Sequence, residues 1–195
     1  MILDRNPEND RIKWSDNLVK WQLYQRVIVI LLPPTAKSIP VTNNDILRRL
    51  RYTFDFNDSK MVEIFRLADH QVTRAQISGW LKKEEDAEYL RCSDREFAIF
   101  LNGLINEMRG KKEGAAPEPE RVLNNNIIFR KLKIALNMTA EDILDVMSEA
   151  NNQISKHELS AFFRKTDHQN YRECQDQVLR NFLSGVQHKY RDKKK

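Results

Sequence analysis

The sequence predicts an all-α protein built from two tandem, pseudo-symmetric four-helix modules joined by a charged linker that contains glycine and proline. Three observations predict it. A shift of 82 positions lays NNDILRRL (43–50) on NNIIFRKL (125–132), and the register then runs to the C-terminus without a gap. Such self-similarity fixes the architecture before any local assignment. Within each copy the apolar residues recur at helical spacing. Between the copies, GKKEGAAPEPE (110–120) has no apolar period and reads as a linker. The chain therefore divides into an N-terminal stretch (1–40), module 1 (41–110), a linker (111–121) and module 2 with a basic tail (122–195).

The first helix, about Asn44 to Asp55, carries Ile46, Leu47, Leu50 and Phe54 on one face with arginines opposite. A second, about Ser59 to Ala68, carries Met61, Ile64, Phe65 and Ala68. The third, about Arg74 to Lys82, opens with T-R-A-Q (73–76), and its counterpart opens with S-K-H-E (155–158). Both fit a capping box, in which a hydroxyl and a side chain three residues later satisfy orphan N–H groups. The fourth, about Asp94 to Arg109, starts at Ser93-x-x-Glu96, turns Phe97, Leu101, Leu104, Ile105 and Met108 inward, and stops at Gly110. A module of about 70 residues is marginal alone, so the copies are expected to pack together.

The first 40 residues match neither copy. Val41 stands immediately before the repeated motif, and valine codons can serve as initiators, so 1–40 is read as sequence upstream of the natural start. The alternative is a genuine extension whose Trp14, Trp21 and aliphatic residues dock on the repeats.

The longest apolar run, Val27 to Leu32, is far below the roughly 18–20 residues that cross a bilayer; no membrane partner is expected, and the expected location is cytoplasmic. Cys92 and Cys174 form no CxxC pair and have no histidine at ligand spacing, so a disulfide framework and a metal site are both unexpected, and two buried thiols are the simpler reading. The net charge of +5 sits mainly at the chain ends: residues 43–110 carry eleven cations against twelve anions, whereas Lys193, Lys194 and Lys195 close the chain. The basic balance alone is weak evidence for a polyanion partner.

With TNNDILRRLRYTFDFNDSKMVEIFRLADHQVTRAQISGWLKKEED (42–86), FLNGLINEMRGKKEG (100–114) and the second copy, the chain resembles the YehS-type family of duplicated bacterial proteins. The resemblance covers residue 41 to the end and implies the all-α tandem fold. The family is one of unknown function, so it implies no site. Its members lack the N-terminal stretch, which agrees with a start at Val41.

Catalytic chemistry is not expected. His70, His157, His168 and His188 align with no histidine in the other copy, and five glycines leave no phosphate-cradling loop. An EF-hand reading of NNQISKHELSAFF (151–163) fails, because Met147 and Asn152 stand where a carboxylate and a glycine are needed. No cofactor is expected.

What recurs, beyond core and caps, is positive charge. Arg48, Arg49, Arg51, Arg74, Lys82, Lys83 and Arg109 align with Arg130, Lys131, Lys133, Lys156, Arg164, Lys165 and Arg191. LADHQVTRAQISGWLKK (67–83) also has the outline of a degenerate helix-turn-helix, with Arg74, Gln76, Gly79, Lys82 and Lys83 toward the exposed side. The functional expectation is a non-enzymatic binding or regulatory protein associated with nucleic acid. The candidate polyanion contacts are Arg48, Arg49, Arg51, Arg74, Gln76, Lys82, Arg130, Lys131, Lys133 and Lys156. The alternative is a protein-interaction module that uses an apolar groove between the modules.

Overall fold

The computed structural model describes residues 40–114 and 117–192; the expectations for residues 1–39 and for Lys193, Lys194 and Lys195 lie outside that range. Among the described residues are eight α-helices and no strand. Module 1 comprises α1 (Asn43–Phe54), α2 (Asp58–Leu67), α3 (Arg74–Leu81) and α4 (Asp94–Arg109). Module 2 repeats them as α5 (Asn125–Ala135), α6 (Ala140–Glu149), α7 (Lys156–Phe162) and α8 (Asp176–Tyr190). No helix among these residues is long and apolar enough to cross a membrane.

Local chemistry sets the ends. Capping boxes open α1 (Thr42/Asp45), α3 (Thr73/Gln76), α4 (Ser93/Glu96), α6 (Thr139/Asp142) and α7 (Ser155/Glu158). Asn57 and Asn124 cap α2 and α5. Asp55, Asn137, Asp69 and Asn151 follow the ends of the first two helices of each copy in the left-handed conformation, φ 52–56°. Aspartate and asparagine tolerate that region better than other L-residues. The repeat thus encodes its turns as well as its cores.

Two glycines set the closest packing. A Cβ at Gly103 would lie 1.9 Å from the Ile64 carbonyl oxygen, and one at Gly185 would lie 2.0 Å from that of Val146. The glycines of FLNG and FLSG therefore let α4 approach α2, and α8 approach α6, backbone to backbone. A second shared device is a buried asparagine. Asn44 donates to the Trp80 and Leu90 carbonyls at 2.8 Å each and accepts from the Cys92 amide at 3.0 Å. Asn126 does the same with Phe162, Arg172 and Cys174. Each binds the first helix, the end of the third and the strand-like approach to the fourth through one fully satisfied side chain.

The copies pack together as expected, and one buried apolar cluster runs through both. The packing is reciprocal: α4 lies against α5, and α1 against α8. The two partners in each pair run parallel. At the N-terminal ends the Leu123 amide donates to Asp94 Oδ2 (3.0 Å) and the Val41 amide to Asp176 Oδ2 (3.2 Å). At the C-terminal ends Arg109 bonds Ile134 O and Asn137, and Arg191 bonds Tyr52 O. This exchange of equivalent contacts is the pattern of an isologous dimer, held here in one chain. The linker is anchored in it, since Asn102 donates to Pro117 O (3.4 Å) and Glu120 pairs with Lys131 (2.8 Å).

Two sequence expectations are corrected. Met108 is 38% exposed instead of inward, because the last turn of α4 runs past the end of α2, where Asn106 caps the Leu67 carbonyl. Gly79 is buried instead of exposed, with the Leu90 side chain folded over it.

Candidate functional site

The recurring cations fall into distinct structural roles. Arg48 donates to the Lys82 carbonyl (2.7 Å) and pairs with Asp45, and Arg130 donates to the Phe163 carbonyl (2.9 Å). Both therefore cap the third helix of their own module, whose terminal carbonyls lack helical partners. Arg49 and Lys131 sit between modules. Arg49 reaches Gln187 at 3.4 Å, and burial pulls its pKa below the ordinary guanidinium value. Lys131 is 8% exposed, held by Asn102 at 2.5 Å and by Glu120.

Arg74 bonds Ser59 Oγ (2.9 Å) and Lys156 pairs with Glu141 (2.8 Å), tying the start of the third helix to the start of the second in both copies. Gln76 spends its side-chain oxygen on the Thr73 amide, inside the capping box. Lys82 pairs with Asp86 (3.1 Å) and Glu88. Arg74, Lys156, Gln76 and Lys82 therefore face partners within their own modules, and the α2–α3 pair does not offer Gly79 to solvent.

Arg51 and Lys133 differ from the rest, and Arg48, besides its capping role, shares a groove with Arg51. They line two concavities, one at the C-terminal end of each parallel cross-module pair. The α4–α5 groove, about 550 Å³, is lined by Arg109, Lys111, Lys112 and Lys133 against Glu113, over Ile105, Ile134, Met138 and Pro117. The α1–α8 groove, about 600 Å³, is lined by Arg48, Arg51 and Arg191 against Asp55, with Tyr52 and Phe56. Five lining pairs are equivalent under the repeat: Arg109/Arg191, Lys133/Arg51, Ile134/Tyr52, Asn137/Asp55 and Met138/Phe56. The same concavity is thus built twice with different walls.

In the α1–α8 groove the Arg191 guanidinium lies over the Tyr52 ring at 3.7 Å and pairs with Asp55 at 3.5 Å. Arg51 pairs with Asp58 at 3.0 Å. In the α4–α5 groove Lys133 lies over the Phe163 ring at 5.2 Å, and Lys111 pairs with Asp69 at 2.7 Å. Sequence reasoning named Arg109 among the recurring cations but not among the candidate contacts, and missed Tyr52, Lys111 and Lys112 as groove residues. The recurrence of Arg109 as Arg191 was the available signal; Tyr52, unmatched in the other copy, had none.

The thiols of Cys92 and Cys174 are buried, as expected from the sequence. Burial, reinforced by neighbouring carboxylates, pushes both pKa values up to about 12, so neither is a thiolate near neutrality. Among the described residues no group of three or more His, Cys, Asp or Glu side chains is arranged to hold a metal.

Comparison with known proteins bears on the whole arrangement. The model of DUF1456, described as a protein of unknown function, matches residues 43–110 and again residues 125–192. The uncharacterized protein YehS of Escherichia coli (strain K12) is 46% identical over 145 residues, covering 74% of this chain and 93% of that protein. No solved structure matches the chain. Each family match begins at the first residue of α1 or α5 and ends at or just past the last helix of its module, so the unit of the family is the four-helix module seen here twice. On the two matches and the identity to YehS, the chain belongs to the YehS-like DUF1456 family.

Proposed function

We propose that this chain is a non-enzymatic binding protein of the bacterial cytoplasm that associates with nucleic acid through its two cationic grooves. The observation that supports the reading is the doubling of the concavity, with Arg51 and Arg191 at one end and Lys133 and Arg109 at the other. Cations outnumber acids three to one in the α1–α8 groove and four to one in the α4–α5 groove, although module 1 as a whole is nearly neutral. A local excess of cations in a concave surface attracts phosphates and releases their counterions. Of the ten candidate contacts, Arg48, Arg51 and Lys133 line these grooves; the other seven act here as internal ties or lie outside them.

A second reading rests on the apolar floor of the α4–α5 groove. Ile134 is 43% exposed beside Ile105, Met138 and Pro117, which suits an apolar segment of a protein partner. Salt separates the two. Fluorescence anisotropy of the full chain with short single-stranded and duplex oligonucleotides should give affinity that falls steeply with salt. Each phosphate contact removed should flatten the log–log slope by about 0.7–0.9, and Arg51→Ala with Lys133→Ala should flatten it visibly. Absence of binding to either oligonucleotide at low salt sinks the nucleic-acid reading, whereas a partner held on the apolar floor would be nearly indifferent to salt.

A further inference from the structure

We infer that the α4–α5 groove is a docking site for an acidic, amphipathic segment of a partner protein, with its aliphatic side chains on the groove floor and its carboxylates on the rim. The class of partner rests on the second functional reading; its charge rests on how the rim cations are placed. Ile134 is 43% exposed on the last turn of α5, and Ile105, Met138 and Pro117 line the same concavity of about 550 Å³. A volume of that order takes roughly two or three side chains from one face of a short helix. Among the described residues the lining holds no aromatic ring, so an unpaired base finds nothing there to stack on, whereas aliphatic side chains find matching surface.

The rim supplies the sign. Arg109 bonds two neutral groups, the Ile134 carbonyl and Asn137. Lys133 lies over the Phe163 ring, and Lys112 is exposed on the linker. Among the described residues no carboxylate lies within ion-pair distance of these three; of the four cations in the lining only Lys111 is paired, with Asp69. The α1–α8 groove differs on both counts. Arg48, Arg51 and Arg191 pair with Asp45, Asp58 and Asp55, and the Tyr52 ring lies under Arg191. A carboxylate entering that groove competes with one already in place, and one entering the α4–α5 groove does not.

Floor and rim act differently on a partner. Exposed ion pairs are weak singly and are screened by salt, so the rim selects an acidic segment and guides its approach more than it holds it. The apolar contact does the holding. Affinity for such a segment falls modestly with salt and then levels off, in contrast to the continuing log–log fall of a polyanion.

The test uses the full chain and a capped helical peptide with leucines at i, i+3, i+4 and i+7 flanked by glutamates. Its companions are the same peptide with glutamine for every glutamate, the same peptide with serine for every leucine, and a single-stranded oligonucleotide. Methyl NMR follows Ile105, Ile134 and Met138, and fluorescence anisotropy follows affinity. The acidic peptide should shift those methyl signals and saturate at one equivalent. The glutamine peptide should bind about tenfold more weakly, and the serine peptide should leave the signals in place. Lys112→Glu, on the exposed linker, should weaken the acidic peptide about fivefold more than the glutamine peptide, a difference that a loss of folding does not produce. Ile134→Ser should weaken both. If the glutamine peptide binds as tightly as the acidic one, the acidic partner is refuted and the broader reading of an apolar partner stands. If no peptide moves the three methyl signals, both fall. If the oligonucleotide moves them and the acidic peptide does not, the groove belongs to nucleic acid and the docking site is overturned.

Discussion

The α4–α5 and α1–α8 pairs are two solutions to one packing problem, and they differ in what they do with equivalent cations. At α4–α5, Lys131 is buried and held by Asn102 and Glu120, and Asn102 in turn donates to the linker carbonyl of Pro117. At α1–α8 its equivalent, Arg49, makes a single 3.4 Å bond to Gln187. The difference reverses at the groove. There the α1–α8 end carries arginines paired with aspartates, while the α4–α5 end carries lysines and an apolar floor. Recurrence of a charge between copies therefore marks a joint of the scaffold at Arg48/Arg130 and Arg74/Lys156, and a shared groove wall at Arg51/Lys133 and Arg109/Arg191. What differs between copies marks the surfaces free to specialise.

The equivalence of the scaffolds is open to direct attack. Alanine at Gly103 or Gly185 drives a Cβ into a backbone oxygen less than or equal to 2.0 Å away, which no rotamer change relieves. Each substitution should cost about 3 kcal/mol or more, read as a fall in urea midpoint, and the two losses should match. A clearly smaller loss at one glycine would mean that its module relaxes and the copies are not equivalent.

Next in size is the asparagine network. Asn44→Ala strands two carbonyls and one amide in the core, as does Asn126→Ala, and each should cost about 2–3 kcal/mol. The joints between modules should then diverge. Lys131→Met should cost about 1 kcal/mol by removing a held cation from Asn102 and Glu120, whereas Arg49→Met should cost less than about 0.5 kcal/mol. Equal losses would abolish the distinction drawn between the two pairs.

The smallest effect is a cap. Ser93 closes a capping box on α4, while Gln175 at the start of α8 makes no side-chain cap bond. Ser93→Ala should lose about 1 kcal/mol and Gln175→Ser should gain a few tenths to about 1 kcal/mol. Thermal midpoints of the two variants would check both signs.

Much of this fold is legible in the sequence because the repeat repeats reasons along with residues. Thr73/Gln76, Ser155/Glu158 and Ser93/Glu96 announce helix starts by local bonds that need no tertiary context. The helix ends agree within one residue, as capping chemistry allows. Met108 and Gly79 were misread for the same reason. Helical periodicity says which residues share a face and is silent on where the covering helix stops or what folds back over it. The grooves were less legible still. They lie where α1 meets α8 and α4 meets α5, and that parallel, reciprocal pairing is set by packing between modules, which a register within the chain does not encode. Tyr52 becomes a groove residue only because Arg191, 139 positions later, lies across it.

The most direct measurement of the central claim is the salt dependence of oligonucleotide affinity for the full chain, beside Arg51→Ala/Lys133→Ala. The account predicts binding at low salt that weakens steeply toward physiological salt, with a shallower slope in the double variant. Binding that is absent at low salt, or present with a slope that the double variant leaves unchanged, would contradict it.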